Sequence, residues 1–439
     1  MEKIRSIASR VQRLDMLRHF GSVVSIQGGL IWISGLNRQA SVGDRVVFSM
    51  RSGAGLCGEV VSLSRDAVAI LPEGPTEGLA IGTEAELLFA PQLAPSDRWV
   101  GRIIDPLGRP LDGRPLSPGS EERGFRPAPP PAASRNRLGA RLGTGLAVFD
   151  TILPLVRGQR MGLFAGSGVG KSTLLSALAR GVEADVVVIA LVGERGRELR
   201  EFVEEVLGEE GMARSVVIAA TSDQSPLMRR RCAWAAMTVA EHFRDKGNHV
   251  LFLADSITRF AEAHREIALA AGESPSYRGF PPSVSQLIMS LAERSGPGPI
   301  GSGDITAIFS VLVAGSDMEE PVADILRGVL DGHVVLDRAI AERGRFPAVD
   351  VLRSVSRSLP HAANEPENVL IGRARAALGA YSESELMIRA GLYAQGSDAK
   401  LDEAVRIYPA LDQFFTRKSP SVRQAFQMLA EALTASGPR

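Results

Sequence analysis

Eight consecutive residues, Gly166, Ser167, Gly168, Val169, Gly170, Lys171, Ser172 and Thr173, have the types and spacing to hold a polyphosphate. They follow an apolar run at 160–165 and precede a helical pattern at 174–179. Strand, glycine loop and helix together make such a cradle credible. Glycines let the backbone wind closely around phosphates, so that several N–H groups point inward. The helix that opens there adds the positive end of its dipole. Lys171 has the reach for β- and γ-phosphates, and the Ser172 hydroxyl is a ligand suited to magnesium. One position departs from the strict pattern: Ala165 stands where the first glycine is expected.

Chemistry on a polyphosphate needs acids beside that loop. The apolar run 249–254 ends in Asp255, the type and place of a residue that orients magnesium, commonly through water. A second apolar run, 186–192, leads into Gly193 and Glu194. Strand ends at the carboxyl edge of a parallel sheet gather in one crevice, so Glu194 is predicted to lie beside the loop. The residues alone leave two roles open for it. It is either a base that positions the attacking water or a surface partner of Arg195 opening the next helix.

Those side chains need a scaffold, and the chain supplies one in pieces. With 439 residues it exceeds one ordinary core, so two or three domains are expected. Between residues 21 and about 89, short apolar runs alternate with Gly, Asp and Pro turns, which predicts a small β-barrel. Trp32 and Phe48 are its obvious large rings, fewer than a nucleic-acid-binding barrel uses for stacking. Residues 113–133 are rich in Pro and Gly and read as a stiff connector without strand or helix. Strand-like runs at 160–165, 186–192, 215–220, 249–254 and 305–313 then alternate with helical patterns, which predicts an α/β domain with a mostly parallel sheet. From about Pro360 the pattern is helical throughout. The expected division is an amphipathic helix at 1–20, a β-barrel assembly domain at 21–95, a P-loop domain at 96–360 that includes the connector, and a helical domain at 361–439.

In the first segment Ile4, Ile7, Val11, Leu14 and Leu17 recur at helical spacing among Lys3, Arg5, Arg10, Arg13 and Arg18. Such a basic amphipathic helix either packs on its own domain or docks on a partner or an acidic membrane. Lys plus Arg, 50, balances Asp plus Glu, 50, which argues against coating nucleic acid by bulk electrostatics. Two distant cysteines, Cys57 and Cys232, make neither a disulfide framework nor a zinc site. No secretory signal opens the sequence, and no apolar run is long enough to span a bilayer, so a cytoplasmic location is expected.

With these residues in place, the chain resembles the catalytic subunits of rotary ATPases and, more closely, the ATPases of flagellar and type III protein export. The likeness rests on the loop 166–172, the turn Gly193, Glu194, Arg195, the segment 254–260, and the segment 347–357. It implies a RecA-like P-loop domain that hydrolyses ATP with Mg2+. It also implies roles: Glu194 as the catalytic glutamate, Arg195 and Arg259 near the γ-phosphate, Phe346 stacked on adenine, and Arg357 as an arginine finger given to a neighbour. A finger in trans requires a homo-oligomer, and a ring closes that symmetry. The segments 390–404 and 405–415 lean to export ATPases, the latter toward the flagellar branch. The implied partners are a dimeric regulator at the N-terminal helix, a central stalk protein, membrane proteins of the export gate and chaperone–substrate complexes. No nucleic acid is expected. The implied place is cytoplasmic, peripheral at the inner-membrane export apparatus. A virulence-type secretion ATPase and a rotary synthase subunit are the alternatives.

Overall fold

The computed structural model describes residues 17–50, 53, 55–313 and 318–434. Residues 1–16 of the expected N-terminal helix lie outside the described residues. Residues 17–19 carry no regular structure, and Phe20 already opens a strand, so the predicted helix does not extend to 20.

Six strands, β1 (Phe20–Gln27), β2 (Leu30–Ser34), β3 (Arg45–Ser49), β4 (Gly55–Leu63), β5 (Val68–Pro72) and β6 (Glu84–Leu88), close into an antiparallel barrel in the order β1-β2-β5-β4-β3-β6. Alternate residues such as Ile31, Ile33, Val46 and Phe48 fill its interior, as period-two side-chain alternation requires. Strand β6 alternates Glu with Ala and Leu, so no apolar run in the sequence marks it.

The connector contains a strand after all. β7 (Gln92–Leu93) pairs with β9 (Arg123–Gly124) outside the barrel, with β8 (Arg102–Ile104) between them in the chain. The Pro-rich composition forbids a long ladder but leaves room for two residues. The connector is also anchored by side chains. Arg294 donates to the Phe125 carbonyl at 2.7 Å and Trp99 to that of Ser117 at 3.1 Å.

The central sheet holds β8, β10 (Arg160–Ala165), β11 (Val186–Glu194), β12 (Ser215–Thr221), β13 (Val250–Asp255), β14 (Ile305–Leu312), β15 (Gly332–Leu336) and β16 (Val349–Ser356). Their order is β16-β15-β10-β14-β13-β11-β12-β8, all parallel except edge strand β16. Near-continuous Val, Ile, Leu and Ala in β11 to β13 are what burial on both faces demands. One face packs on α1 (Lys171–Gly181) and on the C-terminal helices. The other packs on α3 (Pro226–Asp245), α4 (Ile257–Ala270), α5 (Ser283–Arg294) and α6 (Pro321–Val329), whereas the short α2 (Gly196–Glu201) follows β11. The C-terminal helices are α7 (Glu365–Arg389), α8 (Ala399–Phe414) and α9 (Val422–Thr434). None of the described helices is long and apolar enough to cross a membrane.

Barrel and sheet domain meet through buried charges. Glu59 of β4 accepts from Arg230 and Arg231 of α3 at 2.5 and 2.6 Å, and Arg231 also donates to Glu73 at 2.9 Å. Burial pushes Arg230 down to about 10, still a cation at neutral pH.

Candidate active site

Strands β10, β13 and β11 end at one edge of the sheet, and the loops that follow them carry the predicted chemistry. β10 ends at Ala165; Gly166 to Gly170 form the loop, and α1 starts at Lys171. Gly168 and Gly170 have φ of 76° and 86°, which side chains other than glycine rarely adopt. The space matters too: a Cβ on Gly170 would lie 3.2 Å from the Phe346 ring. Phe346, distant in sequence and half exposed, therefore sits against the phosphate loop.

Lys171 Nζ pairs with Asp255 Oδ1, and the same oxygen accepts from Ser310 Oγ of β14 at 2.7 Å. β14 lies between β10 and β13, so its serine bridges the gap between lysine strand and aspartate strand. Both members of the ion pair are nearly buried, which strengthens their attraction relative to a surface pair.

Glu194 ends β11. Its neighbour Gly193 is a bulge: Val192 pairs with Ala220 and Glu194 with Thr221, with the register slipping between them. Bulges near active sites re-aim a side chain. Ser172, Glu194, Glu198 and Asp255 line one cleft of about 140 Å³. Burial, then the Asp255 charge, pushes the Glu194 carboxyl up to about 7, against the opposing pull of Lys171. A carboxylate with that affinity for protons at neutral pH is poised as a general base.

The predicted arginines separate. The stem of Arg259 lies against Gly193, 3.4 Å from where a Cβ would be, and its head pairs with Glu262 at 3.5 Å. Arg195 is exposed and turned to Glu198 at 3.4 Å. Arg357 is exposed and remote; its Nη2 donates to the Arg327 carbonyl at 3.2 Å. The sheet register shows why. Ala165 aligns with Leu336, and Leu336 with Val349, whereas Ser356 aligns with Gly332. Going from Leu336 back to Gly332 covers about 13 Å, away from the phosphate loop. Two strand spacings add about 10 Å sideways. Arg357 is out of reach of the cleft in its own chain.

A model described as ATP synthase alpha/beta family, nucleotide-binding domain, matches residues 145–356, and one described as T3SS EscN ATPase C-terminal domain matches 364–434. A flagellum-specific ATP synthase of Caulobacter vibrioides is 45% identical over 442 residues, covering 98% of this chain and 99% of that protein. The chain belongs to the flagellar and type III secretion ATPase family. This P-loop ATPase is also 41% identical to a type 3 secretion system ATPase of Xanthomonas euvesicatoria, over 95% of this chain and 94% of that one. The structure of the assembled ATPase EscN from enteropathogenic E. coli matches with a TM-score of 0.86 at 34% identity, over 94% of this chain and 100% of that one. EscN in complex with its central stalk EscO matches at 0.84, with the same identity and coverage. The likeness extends through the barrel, the sheet domain and the C-terminal helices of the ATPase.

Two residues in or beside this site carry no signal in the sequence. Ser310 sits inside an apolar strand, and a lone buried serine carries no signal of a carboxylate partner. Arg229 of α3 has its Cδ 3.6 Å from where a Cβ on Gly193 would be; nothing in its sequence context marks it.

Proposed function

We propose that this ATPase hydrolyses Mg-ATP in a homohexameric ring to energise flagellar type III protein export. Its tasks there are chaperone release and substrate unfolding at the export gate. The observation that carries the ring is the position of Arg357, on the same chain as a complete cleft and yet beyond its reach. The location is cytoplasmic and peripheral at the inner-membrane export apparatus. A central stalk protein fits by analogy with EscO on EscN. The N-terminal helix would engage a dimeric regulator. The barrel at 21–95 serves assembly, residues 96–360 catalysis, and residues 361–439 contact with stalk and chaperone–substrate complexes.

The cleft suits a magnesium nucleotide. Four carboxylates, from Asp255, Glu194, Glu198 and Glu201, share it with the Ser172 hydroxyl. Among the described residues no group of three or more His, Cys, Asp or Glu could hold a metal alone. Magnesium commonly takes one or two carboxylates and completes its shell with phosphate oxygens and water. Ser172 and Asp255 would hold it, and when bound it neutralises charge on the β- and γ-oxygens. The backbone N–H groups of Gly166, Ser167, Gly168, Val169, Gly170 and the Ser172 and Thr173 turn cradle the phosphates, and Phe346 stacks on adenine. Lys171 moves from Asp255 to the γ-phosphate. Glu194 takes a proton from water as its oxygen attacks the γ-phosphorus. The bond from that phosphorus to the β–γ bridging oxygen breaks, giving ADP and phosphate. Arg195 and Arg259 swing from Glu198 and Glu262 to flank the reacting phosphate, and Arg357 of the next subunit stabilises charge on its oxygens.

Steady-state ATPase rate against protein concentration, with and without magnesium and with single-stranded RNA, tests this. Magnesium-dependent specific activity that rises with concentration and ignores RNA supports it. A rate independent of concentration, or strong stimulation by RNA, overturns it. The injectisome alternative draws on the Xanthomonas likeness. Complementation of a flagellar-export ATPase deletion separates the two: restored motility supports the flagellar reading.

A further inference from the structure

The bulge that aims Glu194 is a soft place to put a base. Gly193 has φ of 72° and no side chain to wedge it. The Glu194 carbonyl is held by the Ser222 N–H at 3.0 Å. Two arginine stems bound the space that a side chain there would fill. A Cβ on Gly193 would lie 3.4 Å from Arg259 Cβ and 3.6 Å from Arg229 Cδ.

The two arginines are held differently. The Arg259 side chain is 45% exposed and its ion pair is long, at 3.5 Å. The Arg229 side chain is 15% exposed. Its Nη2 donates to both carboxylate oxygens of Glu266 on α4, at 3.1 and 3.0 Å. Its Nε donates to the Gln224 carbonyl at 3.2 Å, in the loop that leaves β12. One guanidinium thus joins α4 to the β12–α3 loop while its stem bounds the space beside the Gly193 turn. Arg229 does not line the cleft shared by Ser172, Glu194 and Asp255.

We propose that Arg229, clamped by Glu266, is a positioning residue that fixes the direction of the Glu194 carboxylate. The proposal rests on the reading of Glu194 as the base. A base must stay within hydrogen-bond reach of the water it activates. A displacement of about 1 Å can cost about a hundredfold in rate, and loosening the stems beside the bulge is expected to shift Glu194 on that scale.

Arg229→Met keeps most of the stem and removes the guanidinium. It is expected to lower kcat about 10- to 100-fold. KM, and the Kd of a fluorescent ATP analogue, should stay within about twofold, because the loss falls on the transition state alone. Glu266→Gln should show the same split at smaller amplitude. The double variant should be no slower than Arg229→Met alone, since the two residues act as one unit. A merely structural role predicts the opposite: a raised KM, a lower melting temperature and additive losses. Wild-type kcat in both single variants, or a loss shared between kcat and KM, overturns the inference. If Arg229→Met does not fold, Glu266→Gln decides alone, its side chain being 45% exposed. Glu194→Gln separates the two levels. Full activity in that variant sinks the base assignment itself. An inactive Glu194→Gln beside fully active Arg229 and Glu266 variants sinks only the positioning role.

Discussion

Arg357→Ala offers the sharpest test of the ring, because the geometry dictates a result that no single chain can give. Ser356, which precedes Arg357, lies about 13 Å along the strands and about 10 Å across them from Ala165, where its own phosphate loop begins. The loss of a finger costs about 10³–10⁵ in rate, or roughly 4–7 kcal/mol of transition-state stabilisation. Nucleotide binding should survive, since the cleft of the same chain is untouched. Lys171→Ala is the complementary variant: its own loop fails, yet its Arg357 remains. In a ring every interface joins one phosphate loop to one finger face. In randomly mixed equimolar rings, about one interface in four receives an intact loop and an intact finger. Activity should therefore rise from nearly nothing in either parent to about a quarter of wild type when interfaces act independently. Phosphate release gives the rate, and co-purification of differently tagged variants establishes that rings mix. Mixed rings that stay at the parental rate would refute a finger in trans. Full activity in Arg357→Ala alone would refute a finger of any kind.

The cleft residues should part company in binding and turnover. Glu194→Gln should bind ATP normally and lose hydrolysis, whereas Lys171→Ala should weaken nucleotide affinity about 10- to 100-fold through the lost charge-assisted bonds, both read by titration with a fluorescent analogue. The pH profile follows from the raised proton affinity of Glu194. Below about 7 the carboxyl is protonated and cannot accept the water's proton, so kcat/KM should climb with pH and level off above that value. The limb should vanish in Glu194→Gln; a profile flat from pH 5 to 8 in the wild type contradicts the assignment. At the barrel junction, Glu59→Gln removes the charge shared by Arg230 and Arg231. Breaking a buried pair this way costs about 3–5 kcal/mol, which should appear as a lower denaturant midpoint for the barrel, and an unchanged midpoint would deny the junction that weight.

The sequence announced the middle of the sheet and hid its edges. β10 to β14 are buried on both faces, so each is written mostly in apolar residues. β16 lies on an edge and reads Val-Asp-Val-Leu-Arg-Ser-Val-Ser, with exposed and buried residues out of strict alternation. β8 has three residues and β9 two, too few for any periodicity. β6 spends two of its five positions on glutamate because one face of a barrel strand meets solvent or a neighbouring charge. The buried Glu59–Arg230–Arg231 junction was invisible for another reason. An isolated glutamate in a strand and three arginines opening a helix read as solvated charge until the fold brings them together.

The same logic divides the site. The phosphate loop and Asp255 were legible because their chemistry is local: glycines, lysine and hydroxyl must be contiguous, and an acid closing an apolar strand is conspicuous beside them. Glu194 was ambiguous because its role depends on a bulge and a burial that no local pattern encodes. Phe346 and Arg357 came only through resemblance, and the structure shows why each was silent. Phe346 meets Gly170 across a wide gap in the chain. Arg357 meets nothing of the cleft in its own chain. That silence is itself informative. If Arg357 belongs to the catalytic set, that set is split between the carboxyl edge of the sheet and the far end of its antiparallel edge strand, and no motion that keeps the sheet intact reunites it. It can be completed by a second copy presenting β16 to the first, and the second copy then presents its own cleft to a third. On that reading, closure of the chain of contacts leaves no active site unfilled, and the placement of one arginine just beyond β16 would make catalysis and ring assembly a single requirement.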